Sequence, residues 1–157
     1  MKPLLHAAAA SDAERVAEVL IESRRAFLPF APSAHTAAEV RRWVHEVLLP
    51  GTEITVAVIS GVIVGVIAVS TKQGCGWVEQ LYIHPTHVGQ GIGSKLLAHA
   101  IATTPVPIRL YTFQQNVRSR RFYERHGFIA AEFTDGRTNE ERCPDVLYEL
   151  AVAPQTV

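Results

Sequence analysis

Three glycines at alternate positions, between a strand-like segment and a helical one, constrain the fold of this chain more than any other feature of its sequence. The run reads Val88-Gly89-Gln90-Gly91-Ile92-Gly93. Glycine lacks a Cβ atom, so the main chain at such a turn can approach a ligand closely. The N–H groups and the dipole at the start of the following helix favour an anion there. The run therefore predicts a backbone site for a pyrophosphate-bearing cofactor, and hence an enzyme.

Two common phosphate-binding motifs do not fit this turn. A nucleotide P-loop needs Gly-Lys followed by Ser or Thr, whereas this chain has Gly93-Ser94-Lys95. A dinucleotide-binding fingerprint needs its third glycine where Ser94 stands, and it usually follows the first strand of its fold. An ordinary strand-to-helix turn is the remaining alternative, but such a turn does not need three alternate glycines.

Two capping-box patterns predict helices in the first third of the chain. The first spans residues 11–14 (Ser-Asp-Ala-Glu) and the second spans residues 36–39 (Thr-Ala-Ala-Glu). Apolar residues at helical spacing follow each box. The connection at residues 27–32 is apolar and broken by prolines, so we expect it to pack or to line a site.

The rest of the chain alternates between strand-like and helical segments. Ser60-Gly61 is typical of a tight hairpin, and Asn116 and Gly127 are placed to begin and end a helix. The predicted strands lie at 53–59, 62–70, 77–84, 107–113, 128–133 and 146–152, and the later helices at 91–103 and 116–126. With one strand before the first helix, the order β-α-α-β-β-β-α-β-α-β-β predicts a single α/β domain over residues 1–157, built around a mixed sheet.

Composition and charge argue against several classes of function. The chain has 15 basic and 15 acidic residues and no net charge, which argues against a nucleic acid as partner. The longest apolar stretch, residues 62–69, is too short to cross a bilayer, and the first residues lack the apolar run of a signal peptide. The seven histidines lack metal-ligand spacing, so no metal is predicted. Cys75 and Cys143 are too few for a disulfide framework, which predicts reduced thiols in a cytoplasmic protein.

The sequence resembles the GCN5-related N-acetyltransferase (GNAT) family in three segments. These are Glu79-Gln80-Leu81-Tyr82-Ile83-His84-Pro85, the glycine turn, and residues 116–128 with Asn116, Phe122-Tyr123-Glu124 and Gly127-Phe128. The resemblance extends from about residue 11 to about residue 150 and is strongest over residues 78–128. It implies a mixed, mostly antiparallel sheet flanked by helices. It also implies acetyl-CoA as cofactor, with the pyrophosphate on the glycine turn and the pantetheine arm along the preceding strand.

The resemblance implies a particular set of cofactor-binding residues. Leu81 and Ile83 would offer main-chain groups to pantetheine, and the amides of Gly89, Gly91, Gly93, Ser94 and Lys95 would hold the pyrophosphate. The whole set is Leu81, Tyr82, Ile83, Val88, Gly89, Gly91, Ile92, Gly93, Ser94, Lys95, Asn116 and Tyr123. Val88 departs from the family, which usually has Gln or Arg there. Its amide contact survives, but a polar side-chain contact is lost.

Acyl transfer from a thioester to an amine needs a proton donor and a base. Tyr123 is the donor that the resemblance implies; the alternative is a core tyrosine packed beside Phe122. Glu79 is the candidate base, acting through a water, because strand alternation places it on one face with Leu81 and Ile83. A solvated or salt-bridged glutamate is the alternative. Asn116 caps its helix, contacts the cofactor, or does both.

The cysteines are not expected to act as nucleophiles. Cys75 is expected in a turn between Gly74 and Gly76, and Cys143 precedes Pro144. A covalent cysteine mechanism needs an oriented histidine nearby, and the sequence shows none. Direct attack of the amine on the bound thioester needs no such residue.

Two segments are candidates for the acceptor side. Phe27 and Phe30, with Trp43 on the next helix, form an apolar wall or simply pack. Asn139, Glu140 and Asp145 lie in an acidic stretch that attracts a protonated amine or is an ordinary solvated loop.

The leading hypothesis is an acetyl-CoA-dependent N-acetyltransferase that acts on a primary amine of a small molecule. The alternatives are a protein or peptide N-terminal acetyltransferase, and a non-catalytic CoA-binding sensor module. A lid over residues 27–43 would favour the small amine, whereas an open groove would favour a peptide. An exposed last strand would allow a homodimer, and the sequence does not decide this point.

Overall fold

A seven-stranded sheet forms the centre of the computed structural model, which describes residues 2–152. The strand order is β1-β2-β3-β4-β5-β7-β6, and the strands are β1 Leu4–Ala7, β2 Glu53–Ile59, β3 Val62–Lys72, β4 Cys75–Ile83, β5 Ile108–Phe113, β6 Ile129–Phe133 and β7 Asp145–Leu150. All neighbours pair antiparallel except β4 and β5, which are parallel. The predicted mixed, mostly antiparallel sheet is confirmed. The ends of the predicted domain, residue 1 and residues 153–157, lie outside the described residues.

Helices cover both faces of the sheet. They are α1 Ala13–Phe27, α2 Ala37–Trp43, α3 Leu49–Gly51, α4 Ile92–Thr103 and α5 Val117–Arg125, and a π-helical stretch, Val44–Leu48, joins α2 to α3. Helix α1 and the π-helical stretch bury Val16, Val19 and Val44 against one face. Helices α4 and α5 bury Leu96 and Tyr123 against the other. The sheet is therefore the middle layer of three.

The first predicted capping box is wrong, and the second is confirmed. A 3-10 turn, Ala10–Asp12, precedes α1, so the Asp12 carboxylate accepts a hydrogen bond from the Ala9 N–H at 2.8 Å. The capping hydrogen bond therefore joins residues 9 and 12, before the box predicted at residues 11–14. At α2, the Thr36 N–H donates to the Glu39 carboxylate at 2.9 Å, and the Glu39 N–H donates to Thr36 Oγ1 at 3.2 Å.

A β-bulge at Glu79 changes which side chains share a face of β4. Ala68 of β3 lies opposite Gln80, and the next residue, Val69, lies opposite Val78, which leaves Glu79 as the extra residue. An extra residue inverts the alternation of side chains. The prediction that Glu79 shares a face with Leu81 and Ile83 is therefore wrong.

The core contacts show to which face the bulge turns Glu79. Val78 packs in the same cluster as Leu81 and Ile83, on the side of α4. The hydrogen-bond partner of Glu79 is Ser70, which alternates with Ala68 and thus faces the α1 side. The carboxylate of Glu79 consequently lies on the α1 side of the sheet.

The predicted position of Cys75 is wrong, and the position of the last strand, which the sequence left open, is internal. The hairpin turn lies at Gln73 and Gly74, which have φ of 52° and 78°, so Cys75 begins β4 instead of lying in the turn. The last strand, β7, is not exposed, because it pairs with β5 on one side and β6 on the other. The edge strands are β1 and β6, so the homodimer that the sequence left undecided lacks this support.

The close approach of α4 to β3 depends on Gly65. A Cβ atom there would lie 3.0 Å from side-chain atoms of Ile83, Ile92 and Leu96. We expect Gly65→Val to lower the free energy of unfolding by about 1–3 kcal/mol, because a larger side chain has to displace all three neighbours. Urea unfolding measures the change. Gly51→Val is the control, since nothing lies within 4 Å of a Cβ atom at Gly51; an equal loss in both variants would contradict the packing argument.

Candidate functional site

The glycine turn adopts a backbone that L-residues rarely take. Gly89 and Gly91 have φ of 76° and 78°, and a Cβ atom at either position would meet nothing within 4 Å. Glycine is therefore required here for its conformation, and the space in front of the turn stays open. Gly91 is the N-cap of α4.

The first turn of α4 presents free main-chain donors at this open space. The Lys95 N–H donates to the Gly91 carbonyl at 3.2 Å and makes the first bond of the helix. The N–H groups of Ile92, Gly93 and Ser94 precede it, where a helix has no acceptor of its own. Three donors thus point outward together, whereas the Lys95 amide, which was predicted to hold a pyrophosphate, is engaged within the helix.

A cavity of about 370 Å³ lies in front of the turn, and we call it the turn cavity. Every predicted cofactor residue except Lys95 lines it. These residues are Leu81, Tyr82, Ile83, Val88, Gly89, Gly91, Ile92, Gly93, Ser94, Asn116 and Tyr123.

Several residues that line the turn cavity were not predicted from the sequence. Arg118 and Arg125 contribute cations from α5, on the same helical face as Phe122. Their spacing in the sequence could have identified them, because an anion-binding site is expected to attract cations. Phe27 was predicted for an acceptor wall but lines the turn cavity, where its ring lies 5.5 Å from the Arg118 guanidinium carbon. The remaining missed residues are Ser23, Leu28, His87, Ser119 and Phe122.

Tyr123 both packs in the core and lines the turn cavity. It is 8% exposed, and its ring lies edge-on to Phe122 with centroids 5.2 Å apart. Burial raises the pKa of its phenol well above the usual range, and the nearby Tyr82 adds to the rise. Its hydroxyl makes no hydrogen bond to other residues in the described part of the chain. The phenol is therefore a neutral, unengaged donor at physiological pH.

Asn116 caps α5 as predicted. Its side-chain oxygen accepts from the Ser119 N–H at 3.2 Å. The same side chain lines the turn cavity, so a second contact with a bound cofactor stays a prediction.

Glu79 is held by two partners on β3. The Ser70 hydroxyl donates to its carboxylate at 2.6 Å, and Lys72 Nζ lies 3.0 Å away. The side chain is 28% exposed, and neither the turn cavity nor the larger cavity described next is lined by it. Glu79 is therefore salt-bridged, which is one of the alternatives that the sequence left open.

A second cavity of about 610 Å³ adjoins the turn cavity, shares Leu28 with it, and is called here the α1–α2 cavity. Its wall comes from α1, α2 and the segment between them, together with Gln80, Glu140 and Glu141. Trp43 and Glu140, two of the residues predicted for an acceptor side, line it, and that role stays a prediction. Phe30 does not line it, because its ring packs edge-on against Phe113 with centroids 6.1 Å apart.

Asn139 and Asp145 hold the loop before β7 together. The Asn139 amide donates to the Cys143 carbonyl at 2.7 Å and to the Asp145 carboxylate at 3.2 Å. The Thr134 hydroxyl also donates to Asp145, which is buried. Neither residue lines the α1–α2 cavity.

An ion pair and a histidine–glutamate hydrogen bond join the two sides of the α1–α2 cavity. Arg24 of α1 lies 3.3 Å from the Glu141 carboxylate, and His35 lies 3.0 Å from Glu140. Arg24 also donates to the Tyr82 hydroxyl at 3.1 Å and to the Ala31 carbonyl at 3.2 Å. Because Tyr82 lines the turn cavity, Arg24 stands at the boundary between the two cavities.

The described range, residues 2–152, contains neither a metal-binding cluster nor a helix that could span a membrane. No group of three or more His, Cys, Asp or Glu side chains in that range is arranged to hold a metal ion. Within the same range, none of the helices combines the length and the apolar character that crossing a bilayer requires.

Comparison with protein families finds one match and a set of similar structures. The model of the acetyltransferase (GNAT) family matches residues 15–128. The PaiA N-acetyltransferase of Thermoplasma acidophilum, solved with coenzyme A, superposes with a TM-score of 0.79 at 20% identity, over 97% of this chain and 100% of that one. YncA of Salmonella typhimurium, a putative acetyltransferase solved with acetyl-CoA, superposes with a TM-score of 0.75 at 18% identity, over 100% of this chain and 98% of that one. No curated protein sequence matches the chain. At these identities the structures show a shared fold.

The buried phenol of Tyr123 predicts how stability depends on alkaline pH. Its pKa is about 10 in the unfolded chain and higher in the folded one, so its contribution is fully present below pH 10. Above pH 10 the unfolded chain loses this proton first, and the free energy of unfolding falls by up to about 1.4 kcal/mol per pH unit. Tyr123→Phe should show a shallower fall in urea unfolding between pH 9 and pH 11. Parallel curves for the two proteins would contradict the burial of the phenol.

Proposed function

Since the chain belongs to the GNAT acetyltransferase family, we propose that it transfers the acetyl group of acetyl-CoA directly to a primary amine of a small molecule. Members of the family are acyltransferases that use acetyl-CoA. The observation that carries the proposal is the pair of adjoining cavities, one on the glycine turn and one lined by acidic and apolar groups. Two substrates can therefore meet near Leu28 and Tyr82.

The turn cavity suits a CoA ester. The free amides of Ile92, Gly93 and Ser94 can bind the pyrophosphate, with Arg118 and Arg125 as nearby cations. Strand β4 pairs with β5 only at Gly76 and Trp77, so its main-chain groups beyond Trp77 are free on that side to bind pantetheine. Val88 contributes its amide without a polar side chain.

The chain's own groups supply the proton transfers. Acetyl-CoA brings an activated thioester, and the amine attacks it directly. We expect Tyr123, which burial keeps protonated, to give its proton to the departing thiolate. Neither cysteine is required as a nucleophile; Cys143 is buried and Cys75 begins β4.

The side-chain contacts across the α1–α2 cavity favour a small amine over a peptide. The pairs Arg24–Glu141 and His35–Glu140 connect α1 and the segment that follows it to the loop before β7. A peptide groove would need these two sides to be open. The volume of about 610 Å³ lies within the usual range for small-molecule sites. The free thiols of both cysteines suit the cytoplasm as the proposed location.

Thiol release from acetyl-CoA with a panel of primary amines tests this function. We expect turnover in the wild type and a fall of about 10²-fold in kcat for Tyr123→Phe, with CoA binding retained. Tyr111→Phe removes a hydroxyl from an exposed tyrosine and should leave the rate unchanged. CoA binding without release on any amine would indicate a non-catalytic sensor module. An unchanged rate in Tyr123→Phe would remove that residue from the mechanism.

Glu79 remains the proposed base, acting through a water. Its carboxylate lies on the α1 side of the sheet and is adjacent in sequence to Gln80, which lines the α1–α2 cavity. Glu79→Gln should abolish the rise of kcat/KM on the acidic side of its pH profile and lower its maximum by about 10²-fold. Lys72→Gln is the control, because it removes the ion-pair partner and leaves the carboxylate. If Glu79→Gln kept the wild-type profile, another base would be required.

A further inference from the structure

The wall of the α1–α2 cavity is mostly apolar. Trp43 presents its indole from α2 and is 37% exposed. The other apolar side chains come from α1, α2 and the segment between them. They are Leu20, Ile21, Leu28, Pro29, Pro32 and Val40. Such a wall favours a ligand with an apolar body, because burying apolar surface is the main source of affinity in such pockets.

The basic side chains that line the α1–α2 cavity are already engaged. Arg24 donates to Tyr82, Ala31 and Glu141, and its remaining donor, Nε, is buried beyond the reach of solvent. Arg25 pairs with Glu22 at 3.0 Å. His35 lies against Glu140. A carboxylate on the ligand would therefore have to displace an existing ion pair.

The anionic groups leave room for one positive charge. With histidine counted as neutral, the three lining carboxylates of Glu39, Glu140 and Glu141 outnumber the two guanidinium groups of Arg24 and Arg25. The Thr36 N–H bond lowers the pKa of Glu39 and thus keeps that carboxylate charged. Gln80 also lines the cavity, and within the described residues its side-chain amide has no hydrogen-bond partner. This amide oxygen is available to accept from an amine N–H.

We propose that the acceptor is a primary amine on an apolar body, with one positive charge and no carboxylate. The apolar body lies against Trp43, and the amino group lies toward Gln80 and the carboxylates. This inference rests on the proposed function and narrows its substrate class. Amino acids and polyamines are the classes that it excludes.

A matched set of acceptors tests the substrate class. 2-Phenylethylamine and phenylalanine share the same body and amine and differ in a carboxylate, and spermidine carries several positive charges without an aromatic body. We expect kcat/KM for 2-phenylethylamine to exceed that for the other two at least about tenfold, since an unpaired carboxylate or a second buried charge has no partner. A higher value for phenylalanine or spermidine would overturn the inference while the proposed function stands. No thiol release with any amine would overturn both.

Substitution of Trp43 gives a second and independent measurement. Trp43→Ala should raise KM for 2-phenylethylamine about tenfold and leave KM for acetyl-CoA unchanged. Val47→Ala is the control, because Val47 lies on the next turn but is exposed and does not line the cavity. Calorimetric titration with 2-phenylethylamine measures the difference in amine affinity between the wild type and Trp43→Ala in the absence of turnover. Equal affinity in Trp43→Ala and the wild type would show that the amine does not bind here and would overturn the inference.

Discussion

The short parallel pairing of β4 and β5 is the constraint on which the turn cavity depends. The strands pair at Gly76–Ile108 and Trp77–Arg109 and then diverge. Beyond that point β4 leads to the glycine turn and α4, whereas β5 leads to Asn116 and α5. The space between them becomes the turn cavity, with main-chain donors on one side and Tyr123 on the other. Gly65 maintains this geometry because it lets α4 pack directly on β3.

Arg24 plays the corresponding part on the other face of the sheet. Its guanidinium contacts β4 through Tyr82, the segment after α1 through Ala31, and the loop before β7 through Glu141. A buried donor without a partner costs about 1–3 kcal/mol, and Nε of Arg24 is such a donor. The three bonds of the other nitrogens offset that cost. They also connect α1 to the loop before β7 across the α1–α2 cavity, and the proposed preference for a small amine depends on this connection.

Local sequence signals predicted the elements whose causes are local. The Thr36 box, the Asn116 cap and the glycine turn depend on contacts within a few residues, and each was found where the pattern placed it. The turn from β4 to α4 also identified most of the residues that line the turn cavity, since they belong to the same segment. Predictions failed where a neighbouring strand decides the outcome. Glu79 lies on the other face of β4 because the pairing with β3 leaves it as the extra residue of a bulge. Cys75 begins β4 because the hairpin with β3 turns at Gln73 and Gly74.

The sequence by itself determined the kind of ligand, since three alternate glycines before a helix expose main-chain amides whatever the rest of the chain does. Only the tertiary structure decided how the α1–α2 cavity, the proposed acceptor side, is built. Phe27 faces the turn cavity, Asn139 and Asp145 bind their own loop, and Arg24 joins three segments far apart in sequence. Contacts between distant segments depend on how the layers pack, and no local pattern encodes them. The shape and charge of the α1–α2 cavity follow from that packing.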